Sequence, residues 1–247
     1  MRVLYVEGDP SAPRWIAGAL RVSGHAVDRV VRADPLPWHY DHDVIVLSDT
    51  PAAELEHFVP TVRDAVTRGR GLLVVGGPRS LGHGGWARSG LAEVLPVAIA
   101  DADDRVEAPQ GVLLAPTATH PTTQGLPFDR PPVIAGYNRL APRGEVLLEG
   151  HPLVAGPGAV RLAEARVPLL AVGVAAIGRV AVLATDLAPP WSGGWTGWGG
   201  RRVTVGEHEE AGDAWVRFVD QLVRWLAGSG TGLKRRPGVG SEAALSA

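Results

Sequence analysis

Residues Leu72–Val97 read LLVVGGPRSLGHGGWARSGLAEVLPV. Four apolar residues run without a polar break into a loop that holds five glycines, an arginine, a histidine and a tryptophan. An uninterrupted apolar run this short is the pattern of a strand covered on both faces, and parallel sheets bury their strands that way. Upstream, residues 43–47 (DVIVL) repeat the pattern and end at Ser48-Asp49-Thr50-Pro51. Between the two runs, residues 55–68 place Phe58, Val62, Ala65 and Val66 at helical spacing, with Gly69 as the stop. Earlier still come a strand at 3–6, a helix carrying Trp15, Ile16, Ala19, Leu20 and Val22 that stops at Ser23-Gly24, and a strand over 25–31. Strands alternating with helices at this rhythm predict a parallel sheet layered with helices.

The middle of the chain is richer in strands, with candidates at 111–114, 133–137, 145–149, 168–174 and 179–185. Ala176-Ile177-Gly178-Arg179 reads as a hairpin turn, so an antiparallel extension of the sheet is expected. Residues 213–227 (DAWVRFVDQLVRWLA) form an amphipathic helix with Trp215, Phe218, Val219, Leu222, Val223 and Leu226 on its apolar stripe. Residues 229–247 contain too little apolar material to pack and read as a flexible tail. No repeat or shift in composition marks a second domain, so residues 1–228 are expected to form a single domain.

Composition narrows the function classes. The 247 residues are 45% hydrophobic with a formal charge of -2, which lacks the basic excess of a dedicated nucleic-acid binder. No segment reaches the roughly 18 to 20 apolar residues of a membrane span. The N-terminus MRVLYVEGDP lacks the pattern of a signal peptide. There is no cysteine, which excludes disulfides, thiolate metal sites and a cysteine nucleophile, and fits a cytoplasmic protein. The histidines make no H-x-x-x-H or H-E-x-x-H motif, so neither a metal nor another cofactor is expected. Trp38-His39-Tyr40-Asp41-His42 precedes a strand and is expected at the edge away from the site.

In an open parallel sheet, ligands sit beyond the carboxyl ends of the strands. The polar residues at those ends are Glu7, Ser48 with Asp49, the loop Gly76–Trp86, Asn138 and Asp186. Candidates for acid–base work are His83, Asp186, Asp49 and Glu7. The competing reading of Asp49 and Glu7 is helix capping. Gly76 and Gly77 offer backbone amides to an anion or a carbonyl oxygen, or simply supply a turn. Ser80, Trp86 and Asn138 are further candidate ligand contacts. Residues 191–202 (WSGGWTGWGGRR) gather three of the eight tryptophans in one glycine-rich loop. Trp191 and Trp195 therefore read either as a stacking surface for a ligand or as an apolar patch buried by the chain or a second copy.

With DVIVLSDTPA before it, and HPTTQGLP, GYNRLAPRGEVLL and GRVAVLATDLAPPW after it, the glycine loop resembles the family called "putative glutamine amidotransferase", within the class I glutamine amidotransferase-like superfamily. The resemblance runs from the first strand to the helix near Ala227. It implies an α/β fold, a three-layer flavodoxin-like sandwich with a mostly parallel sheet. Class I glutaminases use a cysteine on a sharp turn, with backbone N–H groups holding the oxyanion, and this chain has no such thiol. Ser48 and Ser80 lie in strand-end loops, but neither stands in a G-x-S-x-G elbow.

Two readings follow. In the first, a divergent enzyme acts on a small polar or carbohydrate-like molecule by acid–base chemistry, a hydrolase- or lyase-type activity without a covalent cysteine intermediate. In the second, the domain is a non-catalytic ligand-binding or oligomerisation module with a vestigial pocket. Expected partners are a small molecule and a second copy of the chain, with neither nucleic acid nor membrane.

Overall fold

The computed structural model describes residues 1–9, 15–31 and 41–228. The expected tail at 229–247 and Trp38–Tyr40 lie outside the described residues. The first half of the chain gives β1 (Arg2–Glu7), α1 (Trp15–Val22), β2 (Ala26–Val31), β3 (Val44–Ser48), α2 (Val59–Thr67) and β4 (Gly71–Val75). A strand-rich stretch follows: β5 (Val97–Ala98), β6 (Arg105–Pro116), β7 (Val133–Asn138), β8 (Ala141–Pro142), β9 (Glu145–Gly156), β10 (Ala159–Leu162), β11 (Val167–Ala175) and β12 (Gly178–Leu183). The chain closes with β13 (Arg202–Thr204), β14 (Glu210–Gly212) and α3 (Asp213–Leu226).

The ten-stranded sheet has the order β2-β1-β3-β4-β12-β11-β9-β6-β7, with β10 paired to β9. Strands β2, β1, β3, β4 and β12 run parallel. From β12 outward every pairing is antiparallel. The sheet is therefore mixed in near-equal halves, which corrects the expectation of a mostly parallel sheet. A parallel pair needs a crossover of a dozen or more residues, usually a helix, and no helix separates the strands between β6 and β12. The hairpin between Ala175 and Gly178 turns the chain back, so β12 enters alongside β4 with β11 as its antiparallel neighbour.

Alternation along the parallel strands feeds two cores. Val3, Tyr5, Val44, Val46, Leu73, Val75, Ala181 and Leu183 face α1 and α3. Leu4, Val6, Ile45, Leu47, Leu72, Val74, Val180 and Val182 face α2 and the glycine loop. Both faces are thus buried, as the unbroken apolar runs required.

The bounds of α2, β6 and β9 differ from those read in the sequence. The helix expected over 55–68 divides into a 3-10 turn at Ala52–Leu55 and α2 from Val59. Pro60 has no N–H to donate, so it belongs in the first turn of a helix and the helix starts there. Strands β6 and β9 are longer than expected: a register shift against β7 between Glu107 and Val112 lets β6 run past Pro109 and Gly111, and β9 runs past Pro152 by pairing with β10.

Helix α1 lies close against the β13–β14 region at Gly18, where an added Cβ would stand 1.8 Å from the Val205 carbonyl oxygen. Helix propensity favours alanine over glycine by about 1 kcal/mol. Here the backbone clash reverses that sign, so Gly18→Ala is expected to lower stability by about 1–3 kcal/mol. Chemical denaturation checks this; an increase in midpoint would show that α1 does not pack at this distance.

Candidate functional site

The site begins where the sheet changes direction. From β1 the chain goes through α1, which packs on one face, to β2 on one side. From β3, on the other side of β1, it goes through α2 on the opposite face to β4. Loops leaving β1 and β3 therefore diverge, and a crevice opens between them, the usual ligand position in such sheets. A cavity of about 120 Å³ occupies it, lined by Tyr5, Glu7, Ser48, Asp49, Arg79 and Asp186 among others.

Each acid has its own surroundings. Glu7 is buried and accepts the Tyr5 hydroxyl at 2.9 Å and Arg29 Nε at 2.7 Å. Burial raises its pKa, and the Arg29 guanidinium opposes the rise. Asp49 has a left-handed backbone (φ 42°), a region that aspartate tolerates better than most residues. Its Oδ1 accepts the Arg79 backbone N–H at 2.7 Å. Burial pushes the Asp49 carboxyl up to about 6, against the pull of that N–H and of the Arg79 charge. Asp186 is 6% exposed, and its Oδ1 accepts the Ala188 N–H at 2.9 Å. Burial first and the Asp49 charge second raise its pKa well above the ordinary carboxylate range. Tyr5 is likewise driven up, by burial and then by the charge of Glu7.

Three turns crowd around Asp49. A Cβ at Gly77 (φ 150°) would lie 2.4 Å from Asp49 Oδ1, and one at Gly8 would lie 2.0 Å from the Asp49 carbonyl oxygen. No nucleophilic side chain can stand at Gly77 while Asp49 keeps this place. The Arg79 guanidinium ties the same turns together, donating to the Gly8 carbonyl and to Glu54 Oε1, the latter at 2.9 Å.

Several sequence-predicted residues have other duties. The Gly76 N–H donates to the Leu183 carbonyl at 2.7 Å and the Gly77 N–H to Asn138 Oδ1 at 2.9 Å, so both amides are engaged within the protein. Asn138 is fully buried and also donates to Asp104 Oδ1 at 3.1 Å. Asp104 in turn receives the N–H groups of Gly82 and His83. Asn138 thus pins the glycine loop and is sealed from the cavity. Trp86 is fully buried and donates to the Thr50 carbonyl at 2.8 Å. Ser80 is fully buried, lines neither hollow, and its hydroxyl has no partner among the described residues.

His83 stands apart from the three acids. It is exposed and borders a different hollow of about 640 Å³, beside Arg88, Asp101, Asp103 and the start of α2. Although larger, that hollow is open, and its charges are mostly paired with each other, Arg88 with Asp101 and Asp103 with Arg105. The acid cavity has the stronger case because Glu7, Asp49 and Asp186 are buried and converge from three strand ends.

The indoles of the 191–202 loop are core. Trp191 lies over Gly136, where a Cβ would come within 2.4 Å of the ring, and donates to Glu107 Oε1 at 2.8 Å. Trp195 packs on Phe218 with ring centroids 4.9 Å apart, and Trp198 packs on Phe128 at the same separation. With Trp191 and Trp195 fully buried, neither offers a stacking surface. Glycines let this loop fold inward, so of the two readings the sequence left open it is burial by the chain that holds, and Trp191 and Trp195 are not ligand contacts.

Tyr5, Arg29, Arg79 and Asp104 were not singled out in the sequence. Strand alternation does carry a signal for Tyr5, since residues two apart share a face and Glu7 was already marked. The roles of Arg29, Arg79 and Asp104 depend on contacts 21 to 71 residues away and leave no local trace.

Residues 41–204 match the family described as "Putative glutamine amidotransferase". The chain belongs to that family. Among solved structures, two cytoplasmic proteins of Salmonella typhimurium each share 22% identity with it at a TM-score of 0.71, covering 92% of this chain and 99% of theirs. A ThuA-like protein from Parabacteroides merdae aligns over 95% of this chain and 92% of its own, with 13% identity and a TM-score of 0.57. At these identities the likeness speaks for the fold alone. No curated protein matches the chain. Among the described residues, no helix is long and apolar enough to cross a membrane, and no three His, Cys, Asp or Glu side chains are grouped to hold a metal ion.

An acid whose folded-state pKa lies above its unfolded value of about 3.9 holds its proton more tightly when folded. Stability is then greatest below about pH 4 and falls as pH rises through the window up to about 6. Asp49→Asn keeps the oxygen that accepts Arg79 N–H and removes the buried charge. It is expected to raise the melting temperature at pH 8 and leave it unchanged at pH 3.5. A variant less stable than the parent at pH 8 would contradict this account.

Proposed function

We propose that this family member is an enzyme of divergent chemistry that binds a small polar molecule in the cavity beyond β1 and β3 and works by carboxyl acid–base exchange, without a covalent thiol intermediate. The observation that carries this is the pairing of Asp49 and Asp186, two buried carboxyls in one cavity whose surroundings push their pKa upward, Asp49 to about 6. A group poised near neutrality can both accept and return a proton, which general acid–base catalysis requires. Asp186 serves as the acid and Asp49 as the base, with Glu7 and Tyr5 holding the cavity wall through the Arg29 ion pair. The engaged amides of Gly76 and Gly77 argue against a preformed oxyanion hole there, and His83 has no part in this scheme. The buried indoles remove the basis for a carbohydrate-like substrate. The two core layers support a three-layer, flavodoxin-like architecture within a single domain over residues 1–228. We read the protein as cytoplasmic, in keeping with what the Salmonella relatives are called.

One observation favours the second reading, a non-catalytic module that assembles with itself. The β9–β10 arm exposes Val154, Val160 and Leu162, each at least half accessible. In that case the cavity is vestigial and the apolar arm is the working surface.

A thermal-shift panel of small polar metabolites against wild type, Asp49→Asn, Asp186→Asn and His83→Ala separates the two. A compound at 100 times its Kd stabilises a protein by about 2.7 kcal/mol. The enzyme reading expects a stabiliser that the two aspartate variants lose and His83→Ala keeps, with no release of glutamate from glutamine by any of the four proteins. A stabiliser retained by both aspartate variants, or wild-type glutaminase activity, contradicts it.

A further inference from the structure

The hairpin β9–β10 runs on beyond the sheet. Strand β9 leaves β11 after Gly150 and β6 after Pro152, and from Leu153 onward β10 is its one strand neighbour among the described residues. No residue from Val154 to Leu162 belongs to either core. Two strands alone are marginal in water. Yet this arm carries Val154, Val160 and Leu162, three of the six most exposed large apolar side chains among the described residues. Arg161 is its only charged side chain, is exposed, and has no ion pair among the described residues. Uncovered apolar groups around a free cation mark a contact surface.

A complementary surface lies on the same molecule. The hollow of about 640 Å³ beside His83 has Ala52, Ala53, Val59 and Pro60 in its wall. On its rim Arg88 pairs with Asp101, and Asp103 with Arg105. The exposed Glu56 is left as a carboxylate without an ion pair among the described residues. The arm thus offers apolar groups and a free cation, and the hollow an apolar wall and a free anion. Pairing two arms edge to edge fits less well. The Ala163 N–H donates to the Pro152 carbonyl at 2.8 Å, so Val160 and Leu162 turn their N–H and C=O groups to the free edge. Setting Val160 there against Leu162 of the partner subunit brings the two Arg161 guanidiniums directly opposite each other, and like charges so placed are destabilising.

We propose that two copies of this chain associate through these surfaces, the β9–β10 arm of each seated in the glycine-loop hollow of the other, with Arg161 facing Glu56 of the partner subunit. Val160 and Leu162 supply the apolar contact, and the charge pair fixes its register. A contact made once would leave an arm and a hollow open at each end and grow into chains, whereas the reciprocal exchange closes at two. The inference goes beyond the acid cavity and holds whether or not that cavity is catalytic.

Sedimentation equilibrium of the full chain, from micromolar to millimolar concentration, tests this. Wild type is expected to form a reversible dimer. Arg161→Glu, Glu56→Arg and Leu162→Ser are each expected to weaken it by roughly tenfold or more. The double variant Arg161→Glu/Glu56→Arg is expected to recover the wild-type affinity to within about threefold. All three positions are exposed, so the melting temperatures of the variants at low concentration are expected to stay near the parent's. A wild type that stays monomeric throughout overturns the proposal. So does a dimer that Arg161→Glu weakens and Glu56→Arg leaves unchanged, the result expected of arms meeting edge to edge. A double variant no tighter than the single ones overturns the contact between Arg161 and Glu56, and species that grow past the dimer overturn the reciprocal closure.

Discussion

The close approach of three strand-end turns around Asp49 is the constraint on which the site depends. Gly8 comes against the Asp49 carbonyl and Gly77 against its carboxyl, each nearer than any Cβ allows. Strands β1, β3 and β4 can then end level with one another, and Arg79 bridges the turns to lock them. Asp49 is forced into a left-handed backbone with its carboxyl turned inward, away from bulk water. Its raised pKa, the further rise at Asp186 and the small cavity all follow from that enclosure.

The same crowding bears on the family's name. A thiol nucleophile needs a turn that presents its side chain, and the turn after β4 has room for none: a Cβ at Gly76 would meet Asn138 Oδ1 at 2.5 Å, and one at Gly77 would meet Asp49. The chain also has no cysteine. This member of the family has a sheet with a switch point and a crevice beyond it, lined by the buried carboxyls of Glu7, Asp49 and Asp186.

Much of the parallel half was legible because burial on both faces leaves continuous apolar runs, as in residues 43–47 and 72–75, and because α3 carries a full apolar stripe. The convergence of Glu7, Asp49 and Asp186 was legible too, since strand ends in such a sheet share one edge. The antiparallel half was legible only in part: the hairpin at Ala176–Arg179 pointed to an antiparallel extension, while the order β11-β9-β6-β7 is chosen by long-range pairing. His83 follows the double glycine in sequence, yet Asp104 and Asn138 hold its loop toward another hollow. The indole loop left two readings open for a physical reason. It lies along β7, giving its Gly194 N–H to the Val133 carbonyl and taking the Ala135 N–H at Trp191, and so covers an edge strand. Glycine-rich sequence here meant close packing.

The central claim is that Asp49 and Asp186 are enclosed together and hold their protons well above the usual carboxylate range. Carbon-13 NMR of the side-chain carboxyls, followed against pH in the free protein, reads this directly. The account predicts a midpoint near 6 for Asp49 and one raised well above the ordinary carboxylate range for Asp186. Midpoints at the ordinary value of about 3.9 for both would show two solvated acids and no enclosed site.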